Sequence, residues 1–414
     1  MEDYKIKDIS LAKTGQKKLD WAWQYMSVLR FITKEKINLQ PFKGYKIALC
    51  LHLEAKSACL AIALKNLGAE VAICGSNPLS TQDDVCAAMA ANGLYVFSHH
   101  DMTQEEYNSY MRDVLATNPN IVIDDGGDMV AMILKEFPEL AKNILGGCEE
   151  TTTGIKRLVA MEKEGVLPFP MFAVNDANSK HLFDNRYGTG QSTWDAICRT
   201  TNLFIAERNV VVAGYGYCGK GVAKRAAGLG ARVYVTELDP HKALEAMMDG
   251  FHVVNMEQAS KIGDIFITVT GNINVITERH FKNMKDGVLL ANAGHFDVEI
   301  NKPDLKKLAT KIYESRNNIT TYEMPDGRKL HLLGEGRLVN LASGDGHPVE
   351  IMDMSFAMQL LAAEYFTKNK MPVALHKVPK ELDDMVSLYK LKSMGLKLEI
   401  LTPEQEAYLN SWAE

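Results

Sequence analysis

Residues 209–239 read NVVVAGYGYCGKGVAKRAAGLGARVYVTELD, and this stretch decides the fold. Val210 to Ala213 is a short continuous apolar run, the pattern of a strand buried on both faces of a parallel sheet. A G-x-G-x-x-G turn follows at Gly214, Gly216 and Gly219, then a helix over Val222 to Leu229, then a strand over Arg232 to Thr236 that ends at Glu237. Each piece has a physical use in holding a dinucleotide. Gly214 permits the tight turn, Gly216 lets the backbone approach a pyrophosphate, Gly219 allows close helix–strand packing, and the helix N-terminus offers free N–H groups to the anion. Glu237 is placed to accept from the adenosine ribose hydroxyls, which favours NAD over its 2′-phosphorylated analogue. The nearby cations Lys220, Arg232 and Lys242 work against that preference. A glycine-rich turn with no ligand is the alternative, and the full strand–turn–helix–strand–acid context weighs against it.

The same alternation extends in both directions. Downstream come the apolar runs DIFITVT (264–270), GVLLANAG (287–294) and RKLHLLG (328–334). Upstream, helical spacing runs over Asp20 to Lys34 and Lys56 to Leu67, with strands expected at Lys46 to Leu51, Ala69 to Cys74, Tyr95 to Ser98, Ile121 to Ile123 and Met171 to Val174. Several upstream strands end in polar clusters: His52 and Glu54, Ser76 to Asp84, Asp124 to Asp128, and Asn175 with Asp176. In open α/β sheets ligands bind beyond the carboxyl ends of the strands, so these clusters are candidates for one crevice; the plainer reading is that such residues make turns. Leu332 to Gly346 reads as a crossing back, Met354 to Phe366 as an apolar helix, and the tail from Glu381 as polar and helical. The expected architecture is α/β with two doubly wound parallel-sheet domains. A Rossmann domain, residues 186–344, is inserted into a discontinuous substrate domain, residues 1–185 and 345–385, and 386–414 form a C-terminal tail.

Composition sets the outer limits. The 414 residues are 46% apolar and 24% charged, with a net charge of −6, so no broad basic field exists for a nucleic acid or an anionic membrane. Met1 to Lys18 carries charges without an apolar core, and no apolar run is long enough to span a bilayer, so a cytoplasmic protein is expected. Seven cysteines with no Cys-x-x-Cys speak against a disulfide framework or zinc knuckle, and no metal is expected.

Eight segments, taken in order, resemble the S-adenosylhomocysteine hydrolase family: CLHLEAKSA (50–58), NPLSTQDD (77–84), IDDGGD (123–128), EETTTG (149–154), NDANSKHLFDNRYG (175–188), VVAGYGYCGKG (211–221), NAGHFDVEI (292–300) and EGRLVNLASGDGHP (335–348). The resemblance implies an enzyme that hydrolyses a nucleosyl-homocysteine reversibly, with NAD used and regenerated. Oxidation of the 3′-hydroxyl to a ketone makes the C4′ proton acidic; homocysteine leaves, water adds, and the ketone is reduced again. By matching motif, Lys180 and Asp184 are implied to bind the ribose hydroxyls, with Lys180 taking the 3′-hydroxyl proton. They stand at i and i+4, one face of a helix, and an acceptor lysine is expected to need a depressed pKa. Asp125 is implied as the C4′ base, and His52 and His295 as proton donors or shuttles. Glu150 and Thr151 match a ribose-contacting pair, and Thr151, Thr152 and Thr153 are implied to face the nicotinamide ribose, although the triplet also suits a helix N-cap. Asn185 and Asn340 match positions near the nicotinamide and substrate ribose, His347 the gate and base end, and Met352 and Phe356 the substrate pocket. The resemblance further implies a homotetramer, and the insertion topology, with its two crossings near Thr189 and near Asn340 to Gly346, predicts hinge closure about those segments when nucleoside binds.

Three positions depart from the family pattern. Thr189 stands where many members have a cysteine, so a thiol there is not essential. The chain stops at Trp412, Ala413 and Glu414 without the Lys and Tyr that many members extend into a neighbouring subunit's NAD site, like archaeal and thermophilic-bacterial members. The common H-x-T-x-E pattern reads His52-Leu53-Glu54-Ala55-Lys56. An ammonium is donor only, so Lys56 suits the O6 of hypoxanthine better than the amino group of adenine, with Glu54 accepting from N1–H; the alternative is that Lys56 turns away to pair with Glu54. Two other classes compete: an NAD-dependent hydroxy-acid dehydrogenase, and a non-enzymatic NAD-binding regulator.

Overall fold

The computed structural model describes residues 3–412; Met1 and Glu2, and Ala413 and Glu414 of the expected tail, lie outside the described residues. Two eight-stranded sheets organise the chain. The first runs Tyr4–Lys5, Tyr95–Phe97, Glu70–Gly75, Lys46–Leu51, Ile121–Asp124, Gly146–Glu149, Met171–Phe172 and Leu375–His376, every neighbouring pair parallel. Apolar clusters cover both faces, with Leu49, Ile123 and Phe172 in one and Ala48, Val122 and Met171 in the other. That two-sided burial is why the strands read as unbroken apolar runs. The edge strand Leu375–His376 returns from far along the chain, so this sheet draws on both sides of the intervening residues.

The second sheet runs His252–Val253, Arg232–Thr236, Asn209–Ala213, Ile265–Thr268, Val288–Asn292, Lys329–Leu333, Ile319–Glu323 and Lys311–Arg316. It is the expected doubly wound sheet with one addition: its last strands pair antiparallel, through a hairpin that turns at Asn318 with φ 63°. The outermost strand exposes Lys311, Glu314 and Arg316, charges that discourage pairing with another sheet edge.

Helix Thr189–Thr201 carries the chain from the first sheet to the second, and helix Val349–Lys368 brings it back. The returning helix is apolar on nearly all sides and packs on helices Ser27–Lys36 and Ala55–Asn66 and on the first sheet. Its buried Asp353 accepts from the N–H groups of Val28 (2.9 Å) and Leu29 (2.8 Å). This explains one departure from the sequence reading: the single helix expected over 20–34 is two, Ala12–Tyr25 and Ser27–Lys36, broken at Met26 (ψ 69°), where Asp353 caps the second. No helix among the described residues is long and apolar enough to cross a membrane.

Candidate active site

Winding reverses in the first sheet between Lys46–Leu51 and Ile121–Asp124, and in the second between Asn209–Ala213 and Ile265–Thr268. Both reversals open on one cleft of about 1280 Å³, lined from both sheets. Every site residue expected from the sequence lines it except Gly219. Gly219 does what close packing requires, since a Cβ there would fall 2.0 Å from the carbonyl oxygen of Gly214.

The glycine turn is built for a dinucleotide. Gly214 has φ +104°, a Cβ on Gly216 would meet nothing within 4 Å, and helix Tyr217–Gly228 begins there, earlier than the sequence reading placed it. Glu237 accepts from the N–H groups of Tyr215 (2.7 Å), Leu238 (3.0 Å) and Asp239 (3.1 Å), which fixes its carboxylate at the cleft wall with lone pairs to spare. At the other end, Thr151 is the N-cap of helix Thr152–Lys163 but makes no capping bond with its side chain, and buried Asn340 Oδ1 has no partner. Unpaired polar atoms facing a cleft fit a bound polar group such as the nicotinamide ribose amide end of NAD.

Two clusters of titratable groups face each other across the remaining space. In the first, Lys180 Nζ donates to Asn185 Oδ1 (2.8 Å) and lies 3.4 Å from both Glu150 Oε1 and Asp184 Oδ2. Residues 181–188, which follow Lys180, are wound in π-type turns, a geometry concentrated at functional sites. Asp184 is held by Ser355 Oγ (2.7 Å) and His347 Nδ1 (2.7 Å), Glu150 by Gln359 Nε2 (2.5 Å), and Asn185 donates to Asn175 Oδ1 (2.9 Å). His347 Nε2 also meets Thr189 Oγ1 at 3.2 Å, so both ring nitrogens of His347 have partners.

The expectation of a depressed Lys180 pKa is not met. Burial pulls the ammonium down, but Asp184 and Glu150 outweigh it and hold Lys180 above its ordinary value. Asp184 is held well below the carboxylate range because Lys180 and His347 overcome its burial. At Glu150 burial wins over Lys180, and its carboxyl is pushed up to about 7. Within this cluster the group tuned to neutrality is thus Glu150. A folded-state value above the unfolded one means that the native protein binds a proton there that the unfolded chain has released, so stability falls as pH rises from about 4.3 to about 7. Glu150→Gln is expected to flatten that fall, read as the thermal midpoint of cofactor-free protein from about pH 5 to about pH 8; an unaltered slope would place the titration elsewhere.

The second cluster lies at the first sheet's reversal. His52 Nε2 is 3.2 Å from Asp125 Oδ2, and His295 Nδ1, from the second sheet, is 3.8 Å from Asp125 Oδ1. Burial drives His52 down to about 4 against the pull of Asp125, so its ring is neutral near pH 7. Candidate ligand atoms of His52, Asp125 and His295 lie within 4.8 Å of one another, close enough to bridge with a metal ion. Gly126 (φ +103°) leaves room for His295: a Cβ there would sit 2.6 Å from the imidazole Nε2.

Sequence reasoning missed the supports. Glu149 Oε1 accepts from Gly126 N–H (2.8 Å) and Thr151 N–H (3.0 Å), tying the Asp125 loop to the threonines, while burial raises its pKa well above normal. Lys56 Nζ donates to Glu54 Oε2 (2.9 Å) and to the carbonyl of Asp345 (2.8 Å), so the pairing that competed with base reading is present.

Comparison with protein families matches residues 3–139 to S-adenosyl-L-homocysteine hydrolase and residues 185–346 to the S-adenosyl-L-homocysteine hydrolase NAD binding domain. The chain is 59% identical over 413 residues to adenosylhomocysteinase of Thermococcus kodakarensis, covering 99% of this chain and 98% of that one. It is 56% identical over 413 residues to S-inosyl-L-homocysteine hydrolase of Methanocaldococcus jannaschii, covering 99% of each. It is 52% identical over 413 residues to adenosylhomocysteinase of Aquifex aeolicus, again covering 99% of each. Likeness that runs through both sheets and the crossings between them exceeds what a shared cofactor fold explains. The chain therefore belongs to the S-adenosyl-L-homocysteine hydrolase family, with NAD as its cofactor.

Proposed function

We propose that the protein hydrolyses S-adenosyl-L-homocysteine, S-inosyl-L-homocysteine or both, reversibly and through a 3′-ketone, to the nucleoside and L-homocysteine. Residues 1–185 with 345–385 are the substrate domain in this reading, and residues 186–344 the cofactor domain. The observation that carries it is the presence of two separate proton-handling clusters, Lys180–Glu150–Asp184 and His52–Asp125–His295, in one cofactor cleft. A hydroxy-acid dehydrogenase needs one such set, at the carbon it oxidises. Oxidation followed by elimination needs a second, at the neighbouring carbon. When bound, NAD supplies a reversible two-electron acceptor at the 3′ carbon. Asp184, oriented by Ser355 and His347, binds the ribose hydroxyls, and the Lys180–Glu150 pair holds the 3′-hydroxyl proton. Asp125 removes the C4′ proton, which only the adjacent ketone makes acidic enough for a carboxylate. His52 and His295 serve the leaving sulfur and the incoming water.

The test is incubation of the purified holoenzyme with a nucleosyl-homocysteine and a thiol reagent, with the absorbance of reduced cofactor followed in parallel. Thiol release without accumulating NADH is expected. Stoichiometric NADH would make the protein a dehydrogenase, and neither signal a binding regulator.

The purine preference in this reading rests on Glu54 and Lys56. Two of the three Lys56 donors are taken by Glu54 and Asp345, which leaves one for an acceptor on the base. Inosine-type substrate is expected to exceed adenosine-type in kcat/KM by roughly 5- to 150-fold, the cost of leaving a buried donor unpaired. Lys56→Glu shifts the ratio toward adenosine. A wild type that favours adenosine about tenfold, with a variant that does not shift, would remove Lys56 as the base reader. A homotetramer is part of the same reading: Leu398, Ile400, Leu401, Tyr408 and Trp412 stand exposed beyond helix Lys380–Ser393, apolar surface that a second copy would cover, and light scattering measures the assembly.

A further inference from the structure

The segment NPLSTQDD, residues 77–84, matches the family pattern but has no part in the reaction described above. It follows strand Glu70–Gly75 and is fastened to the loop after the neighbouring strand Lys46–Leu51, where Gln82 N–H donates to the carbonyl of Leu53 (2.8 Å). Asn77 Oδ1 accepts from Leu79 N–H (2.9 Å), which closes a turn. Serines in and beside this turn reach the acid–base pair. Ser76 Oγ donates to Asp125 Oδ2 at 3.3 Å, and Ser80 Oγ lies 2.6 Å from His52 Nδ1. Ser80 is buried, and its hydroxyl donates to the carbonyl of Asn77 at 3.1 Å. When the hydroxyl hydrogen goes to Asn77, a carbonyl that only accepts, the Ser80 oxygen meets His52 as an acceptor and Nδ1 carries the ring hydrogen; Nε2 then accepts from Asp125 once that carboxyl holds the C4′ proton.

We infer that Ser80 is a positioning residue that pins His52 in the tautomer with hydrogen on Nδ1 and presents Nε2, 3.2 Å from Asp125 Oδ2, as the atom that gains and loses a proton. Which imidazole nitrogen is protonated is set by the hydrogen bond the other makes, and an oriented third group is what fixes the base in catalytic triads. The proton balance closes. The hydrogen that leaves C4′ passes to Asp125, Nε2 takes it from there, the departing thiolate takes it from Nε2, and the ring ends as it began with Nδ1–H donating to Ser80. Without that acceptor the ring is free to place its hydrogen on Nε2 against the Asp125 carboxylate, with no lone pair there to receive another.

The inference rests on the proposed reaction, and half-reactions separate the two. In Ser80→Ala holoenzyme, reduction of bound cofactor by added nucleoside is expected within about twofold of wild type, because it depends on the Lys180 cluster. Exchange of the C4′ hydrogen with deuterated water and release of thiol are expected to slow between roughly tenfold and the ~10²-fold typical of losing a general acid or base. Ser80→Thr, which keeps the hydroxyl, restores them. Equal losses in both halves would make Ser80 a packing residue, and wild-type rates in both would make His52 indifferent to it; either overturns the inference. A wild type that fails to reduce its cofactor with nucleoside removes the reaction reading and this inference with it.

Discussion

Lys180→Ala is expected to bind NAD with near wild-type affinity yet reduce it at least ~10²-fold more slowly when adenosine or inosine is added. The side chain is buried and its polar partners are Asn185, Glu150 and Asp184, none of them in the glycine turn, so cofactor binding and oxidation chemistry are expected to separate at this residue. Its removal leaves Asp184 and Glu150 without their cation, which lifts Asp184 from its depressed value, raises Glu150 further and leaves the 3′-hydroxyl proton with no charged partner to hold it. The near-ultraviolet absorbance of the reduced cofactor reports the rate in a single turnover. Reduction at the wild-type rate would make Lys180 an ordinary buried ion pair.

Asp125→Asn is expected to show the opposite pattern. Nucleoside still reduces the cofactor, while C4′ hydrogen exchange and thioether cleavage fall by roughly 10²- to 10⁴-fold. An amide keeps the shape and the contacts to Ser76 and His52 but has no basicity to lend. Isotope exchange measured by mass spectrometry on the recovered nucleoside distinguishes the steps; exchange that survives the substitution would move the base role to His52 or His295.

Much of this was legible from the sequence, for identifiable reasons. The runs VVVA and KIALCL are continuous because their sheets are covered on both faces, and the glycine turn follows its strand without a gap. Strand Gly146–Glu149 escaped notice because GGCE has no apolar period; its glycines are there for bulk, since a Cβ on Gly146 would lie 2.2 Å from the ring of Phe366. Strands Tyr4–Lys5 and Leu375–His376 are too short to leave any pattern. The i,i+4 spacing of Lys180 and Asp184 brought them together as expected, though on a backbone wound in π turns after Lys180. Their charge states were not legible, because the elevated Lys180 depends on Asp184 together with Glu150, and Glu150 comes from another strand end. The partner of Lys56 lies in the crossing segment at Asp345, a contact no local pattern foretells.

Gly126 belongs to the first sheet and His295 to the second, yet between them there is no space for one methyl group. The absent side chain therefore lets a histidine from the second sheet reach Asp125 in the first. An alanine at 126, strained also by φ +103°, would be tolerated only with the His295 ring turned away from Asp125. The position is thus a volume constraint: one extra carbon there costs backbone strain and the histidine's reach to Asp125 together.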